Sequence, residues 1–213
     1  MTTTAHANPS DPVLAAFTAV SLTAHTRAGP GPVRALSVSG ALHSSGVLAL
    51  EFQMAADLRE LRFAPSSCHA RRSDELWRQT CFELFAAHDD EPRYCEFNFT
   101  PSGEWAAYTF AAYRSPRRDA PQDRIDVSTQ AAADGPLRLR ARMNLATALE
   151  LDAQALARSS WRLNCSAIIE DNAGALSYWA VQHPGAQPDF HDRAGFAIAL
   201  GGAARAHTAT GAH

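Results

Sequence analysis

Apolar and polar residues alternate along three consecutive segments near the middle of the chain, at 80–88, 93–100 and 104–113. Alternation with a period of two is typical of β-strands that are buried on one face. The short loops between the segments, 88–92 and 100–103, carry the proline and glycine that tight turns favour. The pattern therefore predicts a meander of three neighbouring antiparallel strands.

The lengths of these loops predict which residues lie opposite each other in the two hairpins. Pairing across the first loop places Glu83 opposite Asn98. Pairing Phe99 with Glu104 across the second loop places Asn98 opposite Trp105. Both registers predict one wholly apolar face, which includes Leu84, Phe97 and Ala106. They predict a second, polar face that holds Glu83, Glu96, Asn98, Trp105 and Ala107.

Strand-like patterns continue on both sides of the meander, and only residues 149–158 have a helical composition. The other predicted strands are 17–26, 33–42, 47–54, 124–130, 137–145, 161–169, 176–181 and 196–200. No strand–helix–strand rhythm interrupts them. We therefore predict an all-β fold, a two-sheet antiparallel β-sandwich of jelly-roll type with one short helix.

The length of 213 residues suits one all-β domain, which we expect to cover residues 12–202. The segments 1–11 and 203–213 have the composition of disordered tails. Apolar residues make up 46% of the chain, enough for a full core. The net charge of −3 gives no indication of binding to nucleic acid or to an acidic membrane surface.

All 19 basic residues are arginine, which excludes chemistry that needs a lysine, such as Schiff-base formation or P-loop phosphate binding. No apolar run approaches transmembrane length. The four cysteines form no CxxC pair, and the N-terminus lacks the basic region of a signal peptide. We therefore expect a cytoplasmic protein with reduced thiols.

The polar face of the meander is the candidate binding site. An indole packs against sugar rings, and carboxylate and amide groups bond to hydroxyls. The hypothesis of a carbohydrate or other small hydroxylated ligand requires Trp105 to be partly exposed at the wall of a groove. Three outward residues of later strands complete the predicted polar floor if those strands join the same sheet, namely Arg140, Arg162 and Asn164.

The segments 76–85, 94–114 and 177–191 resemble the DOMON-like sandwich proteins and, more distantly, the family-nine carbohydrate-binding modules. In the first, a Trp precedes a Thr-Cys-Phe-Glu strand, and the second contains Glu-Phe-Asn-Phe-Thr-Pro-Ser-Gly. The resemblance implies a jelly-roll β-sandwich that binds a sugar or, in some relatives, haem. Our leading hypothesis is a non-catalytic ligand-binding module without a cofactor.

Three alternatives stay open. The polar face can be a structural network of ion pairs, or it can dock a partner protein whose identity the sequence does not give. The carboxylates of Glu83 and Glu96 lie on neighbouring predicted strands, so their spacing is also compatible with glycoside hydrolysis.

Haem and metal sites have weaker candidates. Haem would need an axial pair drawn from Met54 or Met143 and from His183 or His191, but both methionines occupy apolar strand positions. Asp189, His191 and Asp192 cluster in the sequence, but the segment 188–191 fits a tight turn that a buried Phe190 anchors at least as well. The other tryptophans are expected in the core, at Trp77, Trp161 and Trp179.

Overall fold

The computed structural model describes residues 11–65, 70–131 and 135–201. The expected tails at 1–11 and 203–213 lie outside the described residues, apart from Asp11. The strands are β1 Val13–Ala24, β2 Val33–His43, β3 Val47–Ala56, β4 Arg71–Arg72, β5 Cys81–His88, β6 Tyr94–Phe99, β7 Glu104–Phe110, β8 Arg118–Asp119, β9 Asp126–Ala131, β10 Leu137–Asn144, β11 Trp161–Glu170, β12 Leu176–Ala180 and β13 Ile198–Leu200.

All of these strands belong to one curled sheet in the order β4-β7-β6-β5-β11-β12-β1-β2-β3-β10-β9, with β13 beside β11 and β8 beside β7. The first half-sheet comprises β1, β2, β3, β10 and β9, and the remaining strands form the second half-sheet. The halves join where β12 meets β1, through the pairs Thr23 with Ala180 and Ala24 with Trp179. The all-β class is confirmed, but the predicted division into two separate sheets is not, since the sheet curls into a half-barrel.

The core lies between the inner faces of the two half-sheets. The rings of Phe52 in the first half-sheet and Phe82 in the second have centroids 5.2 Å apart. Leu84 and Phe97 are fully buried in the same cluster, as the meander pattern predicts. Closing this core requires the curl, because each half-sheet has one continuous apolar inner face.

The single helix predicted over 149–158 is wrong, because two short helices occupy this region: α1 Leu145–Leu149 and α2 Ala153–Arg158. Glu150 ends α1 with a left-handed backbone (φ 55°). Asp152 then begins α2 by accepting a hydrogen bond from the backbone N–H of Ala155 at 2.6 Å. None of the described helices is long and apolar enough to cross a membrane.

The predicted register of the first hairpin is confirmed, since Glu83 lies opposite Asn98. The register of the second is wrong by one residue: Asn98 lies opposite Ala106, and Phe99 opposite Trp105. The cause is the loop, in which Thr100 pairs with Glu104 (N–H to O, 2.9 Å). This leaves a three-residue connection, 101–103, which ends with Gly103 in a left-handed conformation (φ 95°).

This shift by one residue exchanges the two faces of β7. Trp105 and Ala107 enter the core, whereas Ala106 joins Tyr108 and Phe110 on the outer face. The expectation that Ala106 shares the inner face with Leu84 and Phe97 is therefore wrong.

Candidate functional site

The outer face of the second half-sheet is covered, although it points away from the core. Nearly every residue of β5 and β6 is buried, so both faces of these strands are shielded from water. A second apolar cluster on this outer face contains Phe85, Tyr94, Tyr108 and Phe110. Part of its cover is the segment 182–196 between β12 and β13, here called the covering segment.

A pocket of about 440 Å³ opens between the outer face and its cover. Its floor carries Glu83, Phe85 and Glu96, and the rings of Phe110, Tyr178, Phe190 and His191 form its walls. Trp77, Arg114 and Arg117 lie at its rim. The volume falls within the range of small-molecule sites.

Glu83 lies in the floor, with only 2% of its surface exposed. Its Oε2 accepts a hydrogen bond from the hydroxyl of Ser166 on β11, 3.1 Å away. Burial, together with the nearby charge of Glu96, raises the pKa of the Glu83 carboxyl well above its ordinary value. Glu83 is thus a buried carboxyl group whose one side-chain hydrogen bond within the described ranges comes from a neutral hydroxyl.

Glu96 is 6% exposed, and its Oε1 accepts a hydrogen bond of 2.7 Å from the side-chain amide of Asn98. Burial raises the pKa of Glu96, against the opposing effects of that hydrogen bond and of the charges on Arg117 and Arg114. Among the described residues, no arginine lies within ion-pair distance of Glu83 or Glu96. The structure therefore gives no support to the alternative of a structural ion-pair network at these two acids.

His191 stands over Glu96 without completing an ion pair. Its Nε2 is 3.8 Å from Oε2 of Glu96, too long for a hydrogen bond. Its Nδ1 lies 2.8 Å from the hydroxyl of Tyr94, which in turn accepts a bond from the backbone N–H of Arg114. Burial and the charge of Arg114 lower the pKa of His191 to about 4, so the ring is neutral near pH 7.

The covering segment is fastened to the sheet by polar contacts. The side-chain amide of Asn164 on β11 donates to the carbonyl of Phe190 at 3.1 Å, and Arg193 donates to the carbonyls of His88 and Glu91 at 3.0 Å. Buried Phe190 anchors the predicted turn at 188–191. These contacts hold the aromatic wall above the carboxyl groups.

Both arginines at the rim already have partners. Arg114 donates to the carboxylate of Asp189 at 2.9 Å, and the same carboxylate accepts a hydrogen bond from the hydroxyl of Tyr113. The guanidinium of Arg117 lies over the ring of Tyr108, 4.5 Å from its centroid. Neither arginine is placed to neutralise the floor by direct contact.

Trp77 is the exposed aromatic residue of the site. It lies in a 3₁₀ turn, Leu76–Arg78, whose Leu76 is buried and whose Trp77 is 42% exposed. The guanidinium of Arg78 stacks over the indole, 5.1 Å from its centroid. The expectation that Trp77 belongs to the core is therefore wrong, whereas Trp161 and Trp179 are buried as predicted.

Trp105 was predicted to be partly exposed, but it is buried. It is 4% exposed and packs in the core, on the other side of the sheet from the pocket. Its predicted position at a groove wall is wrong, because the three-residue loop reverses the faces of β7. Trp105 therefore cannot stack on a ligand in this pocket.

Two predicted arginines also lie elsewhere. Arg140 is on β10 in the first half-sheet, where it pairs with Glu51 at 2.6 Å. Arg162 pairs with Asp89 at 2.9 Å and does not line the pocket. The structure brings together Glu83, Glu96 and Asn98, with Asn164 in the adjacent strand holding the cover.

Most residues of the pocket walls and rim were not predicted from the sequence to belong to the site, namely Trp77, Phe110, Arg114, Arg117, Tyr178, Phe190 and His191. Several of them come from turns and from the covering segment, which have no periodicity. One signal in the sequence linked them to the site: the segments 76–85, 94–114 and 177–191 together carry the family resemblance. All three stretches contribute to this pocket, and 177–191 is distant in sequence from the other two.

The residues considered for haem do not come together. Met54 and Met143 are buried in the core, whereas His191 lies beyond the second half-sheet on its outer face. Within 11–65, 70–131 and 135–201, no cluster of three or more His, Cys, Asp or Glu residues could hold a metal ion. Asp189 is instead occupied by Arg114 and Tyr113.

No protein-family model matches the chain, and no curated protein sequence is significantly similar to it. The fold is similar to the crystal structure of a Bacteroides uniformis protein provisionally described as carbohydrate-binding. The TM-score is 0.60 at 15% identity, over 78% of this chain and 76% of that one. At this identity the likeness establishes a shared fold.

A second structure, a family 9 carbohydrate binding module from Caldicellulosiruptor kristjanssonii in complex with cellotriose, superimposes more weakly. The TM-score is 0.41 at 11% identity, over 71% of this chain and 70% of the module, too low to support an argument. Neither comparison tests the resemblance to DOMON-like proteins, which stays a prediction.

Proposed function

We propose that this protein is a non-catalytic binding module that holds a carbohydrate or another small hydroxylated ligand in the pocket over β5 and β6. One observation carries the proposal: two buried glutamates, which have no arginine partner among the described residues, face a pocket whose rim presents an exposed indole. Carboxyl groups bond to hydroxyls, and the face of Trp77 can pack against the C–H face of a sugar ring. Trp77 thus takes the role first assigned to Trp105.

The positions of the carboxyl groups support binding rather than hydrolysis. A glycoside hydrolase needs one carboxylic acid and one ionised carboxylate on opposite sides of the scissile bond. Here Glu83 and Glu96 share one floor on adjacent strands, and burial raises the pKa of both. The fold shared with the Bacteroides uniformis protein is consistent with a binding module.

The test is a titration of intrinsic fluorescence with monosaccharides and disaccharides. We expect a ligand to change the emission of the wild-type protein, because Trp77 is the exposed tryptophan at the pocket. Trp77→Ala should abolish both the change and, by calorimetry, the binding. Trp77→Phe should retain part of the affinity, since a smaller ring still offers an apolar face.

Arg140→Ala is the matched control, because Arg140 is exposed on the opposite half-sheet and should leave the titration unchanged. If no saccharide at millimolar concentration alters wild-type emission or releases heat, carbohydrate binding is wrong. The alternative of a protein-interaction module then takes its place. The exposed rings of Trp77 and Tyr113, near this same rim, favour that alternative.

A cytoplasmic location and the DOMON-like relationship accompany this proposal as predictions. The buried free thiols of Cys81, Cys95 and Cys165 are compatible with a reducing compartment.

A further inference from the structure

The floor of the pocket contains a carboxyl oxygen that has no hydrogen-bond partner among the described residues. Oε2 of Glu83 bonds to Ser166, but Oε1 accepts no hydrogen bond from any residue within the described ranges. Glu83 is 2% exposed, and it lines the pocket. A largely buried carboxyl oxygen that is reached only from the pocket is costly unless water or a ligand there completes its contacts.

The nearby positive groups do not complete them. Arg114 is held by Asp189, and Arg117 lies over the ring of Tyr108. His191 is 3.8 Å from Glu96 and is neutral at pH 7. The Ser166 hydroxyl and the Asn98 amide each satisfy one carboxyl oxygen, but neither carries a charge that compensates two adjacent acidic groups. The pocket thus has two carboxyl groups and no contacting cation from the described part of the chain.

The walls add a second feature that suits a cation. The rings of Phe110, Tyr178 and Phe190 line the same pocket as the two carboxyl groups and Phe85, and Trp77 stands at the rim. The face of an aromatic ring attracts a positive charge, more strongly where water is excluded. Acidic oxygens below and aromatic rings around are the surroundings in which an ammonium group is stable.

We propose that the ligand carries a protonated amine among its hydroxyl groups, as an amino sugar does, and that the ammonium group sits between Glu83 and Glu96. This inference rests on the proposed function and narrows its ligand class. The ammonium group supplies up to three N–H donors, one of which reaches the unpartnered oxygen of Glu83. Charge-assisted bonds of this kind are shorter and stronger than bonds from a neutral hydroxyl.

The experiment compares matched sugars that differ in one group. Calorimetric affinities are measured at several pH values from mildly acidic to neutral, because the charge-assisted bond needs both a protonated amine and an ionised carboxyl group. The sugars are glucosamine, glucose and N-acetylglucosamine, and the corresponding galactose and mannose series. We expect one amine to bind about tenfold more tightly than both of its neutral counterparts, the effect of one added charge-assisted contact.

Glu83→Gln tests the assignment directly. It should remove the preference for the amine, so that within this variant the amine and its neutral parent sugar bind with equal affinity. Glu51→Gln is the control, because Glu51 is an acid on the opposite half-sheet that already pairs with arginines. Circular dichroism and thermal melting establish that each variant is folded, and Glu96→Gln replaces Glu83→Gln if the latter does not fold.

The outcomes separate this inference from the proposed function. If neutral sugars bind as tightly as the amines, or if the preference survives in both Glu83→Gln and Glu96→Gln, the amine inference is wrong and carbohydrate binding stands. If no sugar of any series binds the wild-type protein, both are wrong. An amine preference that Glu83→Gln abolishes and Glu51→Gln retains supports the inference.

Discussion

The two halves of the sheet treat their outer faces differently. In the first half-sheet, β3 and β10 alternate between buried residues and residues that water reaches. In the second, β5 and β6 are buried on both faces, because loops and the covering segment lie over the outer one. A polar residue that points outward is therefore solvated in one half and enclosed in the other.

Two glutamates show what this difference does. Glu51 in the first half-sheet lies between Arg138 and Arg140, at 3.1 and 2.6 Å. Partial burial raises the pKa of Glu51, but the hydrogen bonds from Arg140 and Gln53 outweigh this effect, so the pKa lies below its ordinary value. The pKa of Glu83 is displaced in the opposite direction, by burial without a cation. A polar residue points to a site when it is enclosed and its own chain leaves it unpaired.

We expect the largest loss of stability from a substitution in the core, to which the inner faces of both half-sheets contribute. Phe97→Ala should lower the free energy of unfolding by about 3–5 kcal/mol, since Phe97 is fully buried and its removal leaves a cavity. Chemical denaturation of the variant and the wild-type protein measures this cost. Trp77→Ala, at the exposed rim, should cost less than about 1 kcal/mol. Equal costs for the two variants would contradict their placement on different faces.

Glu83→Gln should stabilise the protein at alkaline pH. The folded protein retains a proton on Glu83 at pH values where the unfolded chain has released it, so stability falls as pH rises above the ordinary carboxyl range. Removing the charge should therefore raise the free energy of unfolding by about 1–3 kcal/mol near pH 8, and by less near pH 5.

Thermal melting of variant and wild type across this range checks the slope. His191 is common to both proteins, so its own titration largely cancels in the difference. A gain that does not grow with pH would show that Glu83 is not an enclosed acid.

Glu51→Gln should act with the opposite sign and a smaller size. The pKa of Glu51 is lowered in the folded protein, so its contribution is present above the ordinary carboxyl pKa and is lost as pH falls. The arginine partners are partly exposed and screened by water, which limits the loss at neutral pH to about 1 kcal/mol or less. Urea denaturation at neutral and acidic pH measures it, and a stabilised variant at neutral pH would refute the pairing.

Arg162→Ala should have the smallest effect. Both side chains of its ion pair with Asp89 are exposed to solvent, and such pairs contribute about 0–1 kcal/mol to the stability of a protein. Binding should not change, because Arg162 does not line the pocket. A loss of affinity without a loss of stability would return Arg162 to the site.

The sequence was sufficient for the meander, for the first hairpin register and for the shared face of Glu83, Glu96 and Asn98. Those strands alternate clearly, and their first loop permits one register. The second register failed because β7 is apolar on both faces: Trp105 and Ala107 suit a core as well as Ala106 and Tyr108 do. Hydrophobic alternation cannot choose between two apolar series.

The residues that cover the site could not be predicted from the sequence for a different reason. Trp77 comes from a 3₁₀ turn, Arg114 from the end of the meander and Phe190 from the covering segment, and their meeting depends on contacts between distant parts of the chain. The union of the half-sheets depends likewise on the few pairs between β1 and β12. Local patterns do not contain this information.

The connection 101–103 also has a consequence for how such a protein can diverge. The pairing at its two ends, Thr100 with Glu104, decides which apolar series of β7 lies on the outer face. A slip of that pairing by one residue would turn Trp105 outward and Tyr108 inward, with no substitution in any strand. The register at a turn thus selects which side chains each face of a sheet presents, and an alignment scored by residue identity alone would miss the change.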